Sequence, residues 1–354
     1  MQKSYEIKLY TYAGVFVKTI ERANILSWVD FSASIQGGNG EVVVSMPVNS
    51  DTSALIAGYV CRIFVYSDNY PTSGKNIFTG ICTIREYKVD PSGPLYTFTF
   101  IGLQYLLAKM YFKVWGLFTG TKNGTPGQII KDVIDFYNAA AGYSWFTTTN
   151  IDVTGTSISL DVNYTYCMDI IKDASSTRTG YYLFIDGTGA VYYRQKSSTP
   201  DHLLTLGENV DSVVIKKDLE SMVNGHIVEW SGGIRPENVD ASSQSTYFIS
   251  QLKESKTDLK DTTTADNYST AFIATAKNPT SYTKVSVNLN FEKWVDGLAV
   301  ANVGIEELIP WHTVTILNTD DVIVNLQIYK IKYDIRGVEL ELEQIQTLGF
   351  LLSN

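Results

Sequence analysis
Residues 5–10, Tyr-Glu-Ile-Lys-Leu-Tyr, alternate apolar and polar positions, the period of a half-buried strand. A second strand is expected near Phe16–Ile20, after Gly14. Trp28–Ile35 reads as a third, running into a turn at Gly37-Gly38-Asn39-Gly40, and Val42–Met46 as a fourth, stopped by Pro47. Asp51 or Thr52 is expected to cap one helical turn through Ala57, ended by Gly58. Strands then follow at Val60–Tyr66, Ile77–Ile84 and Leu95–Ile101. Short strands at this spacing predict a barrel or sandwich.

The period changes after Gly102. Leu103, Leu106 and Leu107 suit one helix face. A clear helix is predicted after Thr125-Pro126-Gly127, with Thr125 as N-cap and Pro126 in the first turn. Its apolar stripe is Ile129, Ile130, Val133, Ile134 and Tyr137. A second helix is predicted over Cys167–Ala174, with Met168, Ile170 and Ile171 inward. A hairpin follows, Tyr181–Ile185 and Val191–Tyr193 around the turn Asp186–Gly189.

From Leu203 the chain is strand-like again, at Val210–Lys216 and Asn224–Trp230. Residues 231–266 are poor in apolar positions and read as a long polar loop outside any core. A short helix is expected at Tyr268–Ala276. The last hairpin is the sharpest local inference. Turning at Ile335-Arg336, it would set Lys332 opposite Glu339 and Lys330 opposite Glu341 on one face, with Ile331 and Leu340 on the other. The strand triplet near Val60, Ile77 and Tyr96 is echoed by Thr313–Leu317, Ile323–Tyr333 and Val338–Leu342. The fold class expected is therefore mainly β (β+α): a first barrel over 1–102, a small α+β insert over 103–202, and a second barrel over 203–354 with a polar excursion at 231–266.

The net charge is −9, from 28 basic and 37 acidic residues. A sequence-independent grip on DNA needs clustered Lys and Arg. The longest basic stretch is Lys216-Lys217, followed by Asp218, so DNA could pass but would not be held. Cys61, Cys82 and Cys167 are odd in number, lack CxxC spacing, and are expected to be buried free thiols. Met1–Tyr5 leads straight into a strand pattern, unlike a signal peptide. No run of about 18 apolar residues predicts a membrane span. Folding in a cytoplasm is expected.

No catalytic, cofactor-binding or metal-binding residues are predicted. His202, His226 and His312 lack metal-ligand spacing. Asp169 and Asp173 lie four apart, which acid–base chemistry could use, but on an exposed helix such a pair is ordinarily solvated. Asp186–Gly189 lacks the alternating oxygen ligands of a calcium loop. Gly37–Gly40 lacks the Lys-Ser/Thr and the helix of a phosphate loop. The abundant Tyr and Trp could mark a sugar-binding face, but they also fill cores and interfaces.

The order of elements resembles that of the tail hub or baseplate hub proteins of long-tailed phages and contractile injection systems. The likeness rests on the opening hairpin with Trp28–Ile35, Gly37–Gly40 and Val42–Pro47. It continues through Ile56–Ile63 and Ile77–Ile81, then Tyr96–Ile101 leading into Gly102–Leu107. The helix after Thr125-Pro126, the helix near Asp169 and the Phe184–Tyr192 hairpin complete it, followed by the final barrel. The excursion at 231–266 departs from the pattern. The resemblance implies a virion protein assembled in the host cytoplasm; with no nucleophile–base or metal constellation in the sequence, it is expected not to be an enzyme. The resemblance also implies two tail-tube-like barrels per chain and a homotrimer presenting six barrels to a hexameric tail tube. The implied partners are a tail tube or distal tail protein, a tape measure protein, and a tail tip, spike or fibre protein. DNA would be met only in transit, through a channel whose wall is expected to be acidic or neutral. An all-β carbohydrate-binding adhesin or a receptor-binding tail protein is the alternative.

Overall fold
The computed structural model describes residues 4–21, 27–28, 31–34, 38–53, 55–66, 72–91, 93–195, 201–207, 210–235, 237–288, 308–317, 322–333 and 337–344. In the first third lie β1 (Ser4–Tyr10), β2 (Phe16–Glu21), β3 (Ser27–Trp28), β4 (Phe31–Ser34), β5 (Gly38–Asn39), β6 (Glu41–Pro47), α1 (Ser50–Ser53), β7 (Val60–Tyr66), β8 (Lys75–Asp90) and β9 (Gly93–Gly102). The middle carries α2 (Gln104–Leu107), β10 (Thr119–Gly124), α3 (Pro126–Ala141), β11 (Thr147–Ile151), β12 (Ile158–Asn163), α4 (Cys167–Ser176), β13 (Tyr181–Ile185) and β14 (Ala190–Gln195). Then come β15 (His202–Thr205), β16 (Val210–Asp218), β17 (Gly225–Trp230), β18 (Gly233–Ile234), β19 (Asn238–Val239), α5 (Ala241–Thr246), β20 (Gln251–Lys256) and α6 (Thr262–Ala276). The last strands are β21 (Thr280–Asn288), β22 (Thr313–Leu317), β23 (Val322–Tyr333) and β24 (Gly337–Gln344).

The protein is mainly β, with sheets curled into a half-barrel and a nearly closed barrel. One large sheet has the order β2-β1-β7-β8-β9-β6-β3, the other β15-β22-β23-β24-β21-β16. The echo seen in the sequence reappears in these orders. In each sheet three consecutive strands lie side by side, and the strand just before them in the barrel wall returns beside the third: β6 on β9, and β21 on β24. The inward faces follow the alternation. Val42, Val44 and Met46 of β6 are all fully buried, and side chains of one face recur every second residue.

The stretch Trp28–Ile35 is not one strand. Ser27–Trp28 pairs with β6 in the first sheet, whereas Phe31–Ser34 pairs with Tyr333–Lys330 of β23 in the second. Alternation reports a half-buried strand but not which sheet it joins, so this crossing was invisible. The cap of α1 also differs. Asn49, not Asp51 or Thr52, caps it: the Thr52 amide donates to Asn49 Oδ1 at 2.9 Å and the Asn49 amide donates to Thr52 Oγ1 at 3.0 Å. This reciprocal arrangement satisfies two end groups at once.

In the insert, α3 begins and ends on the expected chemistry. The Gln128 amide donates to Thr125 Oγ1 at 3.2 Å. Gly142 closes the helix in the left-handed region at φ 68°, where glycine is unpenalised. The predicted stripe from Ile129 to Tyr137 is buried, as are Met168, Ile170 and Ile171 on α4. The strands β10, β11 and β12 had no counterpart in the sequence reading. Thr119–Gly124 is polar throughout and Thr147–Ile151 is polar up to its last residue, so neither carries a hydrophobic period, although Ile158, Leu160 and Val162 of β12 do alternate inward.

Residues 231–266 are not a loop. They supply β18, β19, α5, β20 and the start of α6, arranged about β17 in a four-stranded sheet. This sheet, α6 and the link between them share the insert's core, to which they contribute Val228, Leu259, Ala265 and Tyr268. The borrowed core explains the polar composition, since a unit packed on a neighbour needs few apolar residues of its own. Asp261 caps α6 by accepting from the Thr264 amide at 2.7 Å.

The turn Asp186–Gly189 fixes the insert to the first sheet. Asp186 Oδ1 accepts from the Thr188 and Ala190 amides at 2.7 and 2.9 Å. The Gly187 carbonyl accepts from Asn76 Nδ2 at 2.9 Å and from the Thr79 hydroxyl. A Cβ on Gly187 would lie 2.5 Å from the Ile77 carbonyl carbon and 2.8 Å from the Phe78 nitrogen. Gly187→Ala should therefore push the turn off β8 and cost about 1–3 kcal/mol. A calorimetric melt several degrees below wild type is the expected result; an unchanged melt would mean the turn is not seated on β8. On the other side of the same hairpin, Trp311 packs on Tyr182, Phe184 and Tyr192 with ring centroids 5.7, 4.6 and 4.4 Å away. The hairpin thus bridges both large sheets.

Candidate assembly surfaces
Three clusters of titratable groups bear on function among the described residues. His202 Nε2 and His312 Nδ1 stand 2.6 Å apart, a meeting of residues 110 positions apart that spacing rules could not find. His226 is fully buried and hydrogen-bonds to Ser269 Oγ and Glu254 Oε2, each at 3.2 Å. Burial pulls its imidazole below the ordinary value, and Glu254 works against that shift. Tyr268 donates to the same Glu254 oxygen at 2.8 Å.

The third cluster joins α4 to the sheet around β17. Asp169 is exposed, whereas Asp173 lies against Lys256, with Nζ 3.7 Å from its carboxylate, and beside Asp258. The two aspartates singled out in the sequence are therefore unlike, and no solvated pair results. Burial, reinforced by the like charge of Asp258, pushes the Asp173 carboxyl up to about 7, with Lys256 pulling it back.

Cys61, Cys82 and Cys167 are buried free thiols. Burial pushes Cys82 up to about 11 and Cys167 to about 12, and Cys61 well above its ordinary value. None is a thiolate at neutral pH. Among the described residues, no group of three or more His, Cys, Asp or Glu could hold a metal ion. Among the same residues, no helix is long and apolar enough to cross a membrane.

The polar face of the last hairpin carries the expected register. Lys330 stands opposite Glu341, with Nζ and Oε1 3.7 Å apart, and Lys332 opposite Glu339. The turn at Ile335-Arg336 lies outside the described residues.

Among the described residues, the most exposed large aromatic side chain, that of Trp115, lies on the insert, where residues 110–118 meet 163–167. The Phe112 amide donates to the Thr165 carbonyl at 3.0 Å and the Cys167 amide to the Met110 carbonyl at 2.8 Å. Tyr111 stacks on Tyr166 at 4.3 Å and Phe118 on Tyr164 at 5.5 Å. Between them, Val114 and Leu117 exchange both backbone hydrogen bonds around Trp115-Gly116. Trp115 is 96% exposed and Leu117 64%. Composition alone could not have marked this surface, because the same aromatic types fill both cores.

No protein-family model matches the sequence, and no curated protein does. Solved structures do match in fold. The 43 kDa tail protein of prophage MuSo2 from Shewanella oneidensis superposes with a TM-score of 0.65 at 14% identity, over 96% of this chain and 98% of that one. A tail protein from Neisseria meningitidis MC58 gives 0.63 at 11% identity, over 97% of each chain. A prophage tail protein from Listeria monocytogenes EGD-e gives 0.53 at 12%, over 96% of this chain and 94% of that one. The fold, end to end, is that of phage tail proteins.

Proposed function
We propose that this chain is a structural virion protein of a phage-type tail, a hub or baseplate component of which three copies close into a ring. The observation that carries the reading is the repeated strand order, β7-β8-β9-β6 in one sheet and β22-β23-β24-β21 in the other. Two like barrels per chain let three chains meet a six-fold tube with equivalent contacts, and heterologous contacts between neighbours close such a ring. Likeness in fold to tail proteins over nearly the whole chain supports the same reading. On this view the ring joins the tail tube to a tip, spike or fibre protein, adjoins the tape measure protein, and surrounds the DNA path. Its part is architectural, not catalytic. A net charge of −9 suits a channel that lets phosphate slide past without gripping it.

Imaging the assembled particle tests this. Three copies at the ring, two barrels each, and an inner wall that is acidic or neutral are the expected result. Six copies, an isolated monomer in the mature particle, or glycan binding by a chain that never assembles would overturn it.

A further inference from the structure
We propose that the Trp115 turn is a knob by which each copy grips the next one in the ring, an inference that rests on the ring proposed above. The backbone is the first argument. Trp115 and Gly116 lie at φ 51° and 83°, the two positive angles of a type I′ turn, where Asn, Asp or Gly is favoured and a bulky residue is strained. A second aromatic of the same cluster, Tyr164, has φ 50° and is 61% exposed. Folding does not account for a tryptophan here. Among the described residues its ring stacks on no other, and its side chain is almost wholly in water. Beneath it, the stacked pairs Tyr111–Tyr166 and Phe118–Tyr164 make a firm base, and Leu117 widens the apolar tip.

Shape and charge choose the occupant. Sugar sites are concave and place polar groups around an aromatic floor. This surface is a projection, and residues 91–131 contain no Asp or Glu at all. A projecting Trp with Tyr and Leu around it has the character of a protein–protein anchor. The same carboxylate-free stretch holds Lys109, Lys113, Lys122 and Lys131, a charge of +4 in a chain of net −9, which leaves −13 on the remainder. Lys122 and Lys131 pair with Asp132 and Asp135. Lys109 and Lys113 instead lie over the Tyr105 and Phe118 rings at 5.0 and 4.5 Å, and among the described residues neither meets a carboxylate. A basic-rimmed apolar knob on an otherwise acidic chain is complementary to the rest of another copy. The contact is thus heterologous, as a closed three-copy ring requires.

The test uses the full chain with Trp115→Asn. Asn tolerates positive φ, so the monomer should melt at or above the wild-type temperature, while ring assembly followed by mass photometry weakens about tenfold or more. Lys113→Glu should weaken assembly as well and flatten its dependence on salt. A photo-crosslinking residue in place of Leu117 should capture a second copy through an acidic segment. A three-copy ring insensitive to Trp115→Asn would overturn the contact and leave the hub reading intact. A lowered monomer melt would assign Trp115 a structural role and also overturn it, as would crosslinks only to a different tail protein or to a glycan. Wild-type chains that never form a three-copy ring would defeat the hub reading and this contact with it.

Discussion

Leu340→Asp should leave little folded protein, whereas Glu341→Gln, one residue away, should melt close to wild type. The two side chains are on opposite faces of β24. Leu340 is fully buried and lies in a row that crosses the second sheet, Val285 opposite Leu340, Leu340 opposite Ile331, and Ile331 opposite Ala33. The buried members of that row help build the core shared by the two large sheets. A carboxylate at this place has no cation within the row, so its desolvation is uncompensated and costs about 4 kcal/mol or more. That is a large share of the stability of any domain. Glu341 and Lys330 have side chains 27% and 38% exposed, and exposed pairs of this kind contribute about 0–1 kcal/mol. Urea denaturation of the two variants side by side decides the matter. Equal losses would mean that the faces have been assigned the wrong way round.

That the register of this hairpin was legible in the sequence has a physical cause. Lys330, Lys332, Glu339 and Glu341 alternate with Ile331 and Leu340, and a slip by one residue would bury four charges. The α3 helix was legible for a similar reason, since Thr125, Pro126 and the stripe from Ile129 to Tyr137 all point the same way. What failed to show lacks such agreement. Thr119–Gly124 pairs as a strand with no apolar residue in it. Gln251–Lys256, polar but for Leu252, is held because it runs parallel beside β17 while α6 lends its buried face to the insert. The surfaces are harder still. His202 and His312 meet only because β15 and β22 are neighbours, and Trp115 stands out through its exposure and a backbone angle that no residue pattern encodes. The Asp169/Asp173 pair illustrates the limit from the other side. Helical spacing brought both into view, but the partner that changes Asp173 comes from a segment read as loop.

That partner makes the pH dependence of Asp173→Asn the second large effect. In the fold, burial first and then the charge of Asp258 hold the Asp173 carboxyl near 7, although Lys256 favours its ionised form and Asp169 adds a weaker push upward. In the unfolded chain the same group titrates near 4. Between those values the folded state carries a proton that the unfolded state has lost. Stability therefore falls as pH rises from about 4 to about 7, and levels off above. The side chain is 24% exposed, which with Lys256 nearby trims the effect to about 1–3 kcal/mol. Asn cannot ionise, so the variant should match wild type near pH 4 and below and melt several degrees higher at pH 8. His226, whose imidazole is held neutral by burial, titrates in the opposite sense. It is common to both proteins and drops out of the difference. Hydrogen exchange at β20 should report the same change locally, because Lys256 and Asp258 flank the end of that strand against α4. Parallel melting curves for the two proteins from pH 5 to pH 8 would show that no proton is held at Asp173.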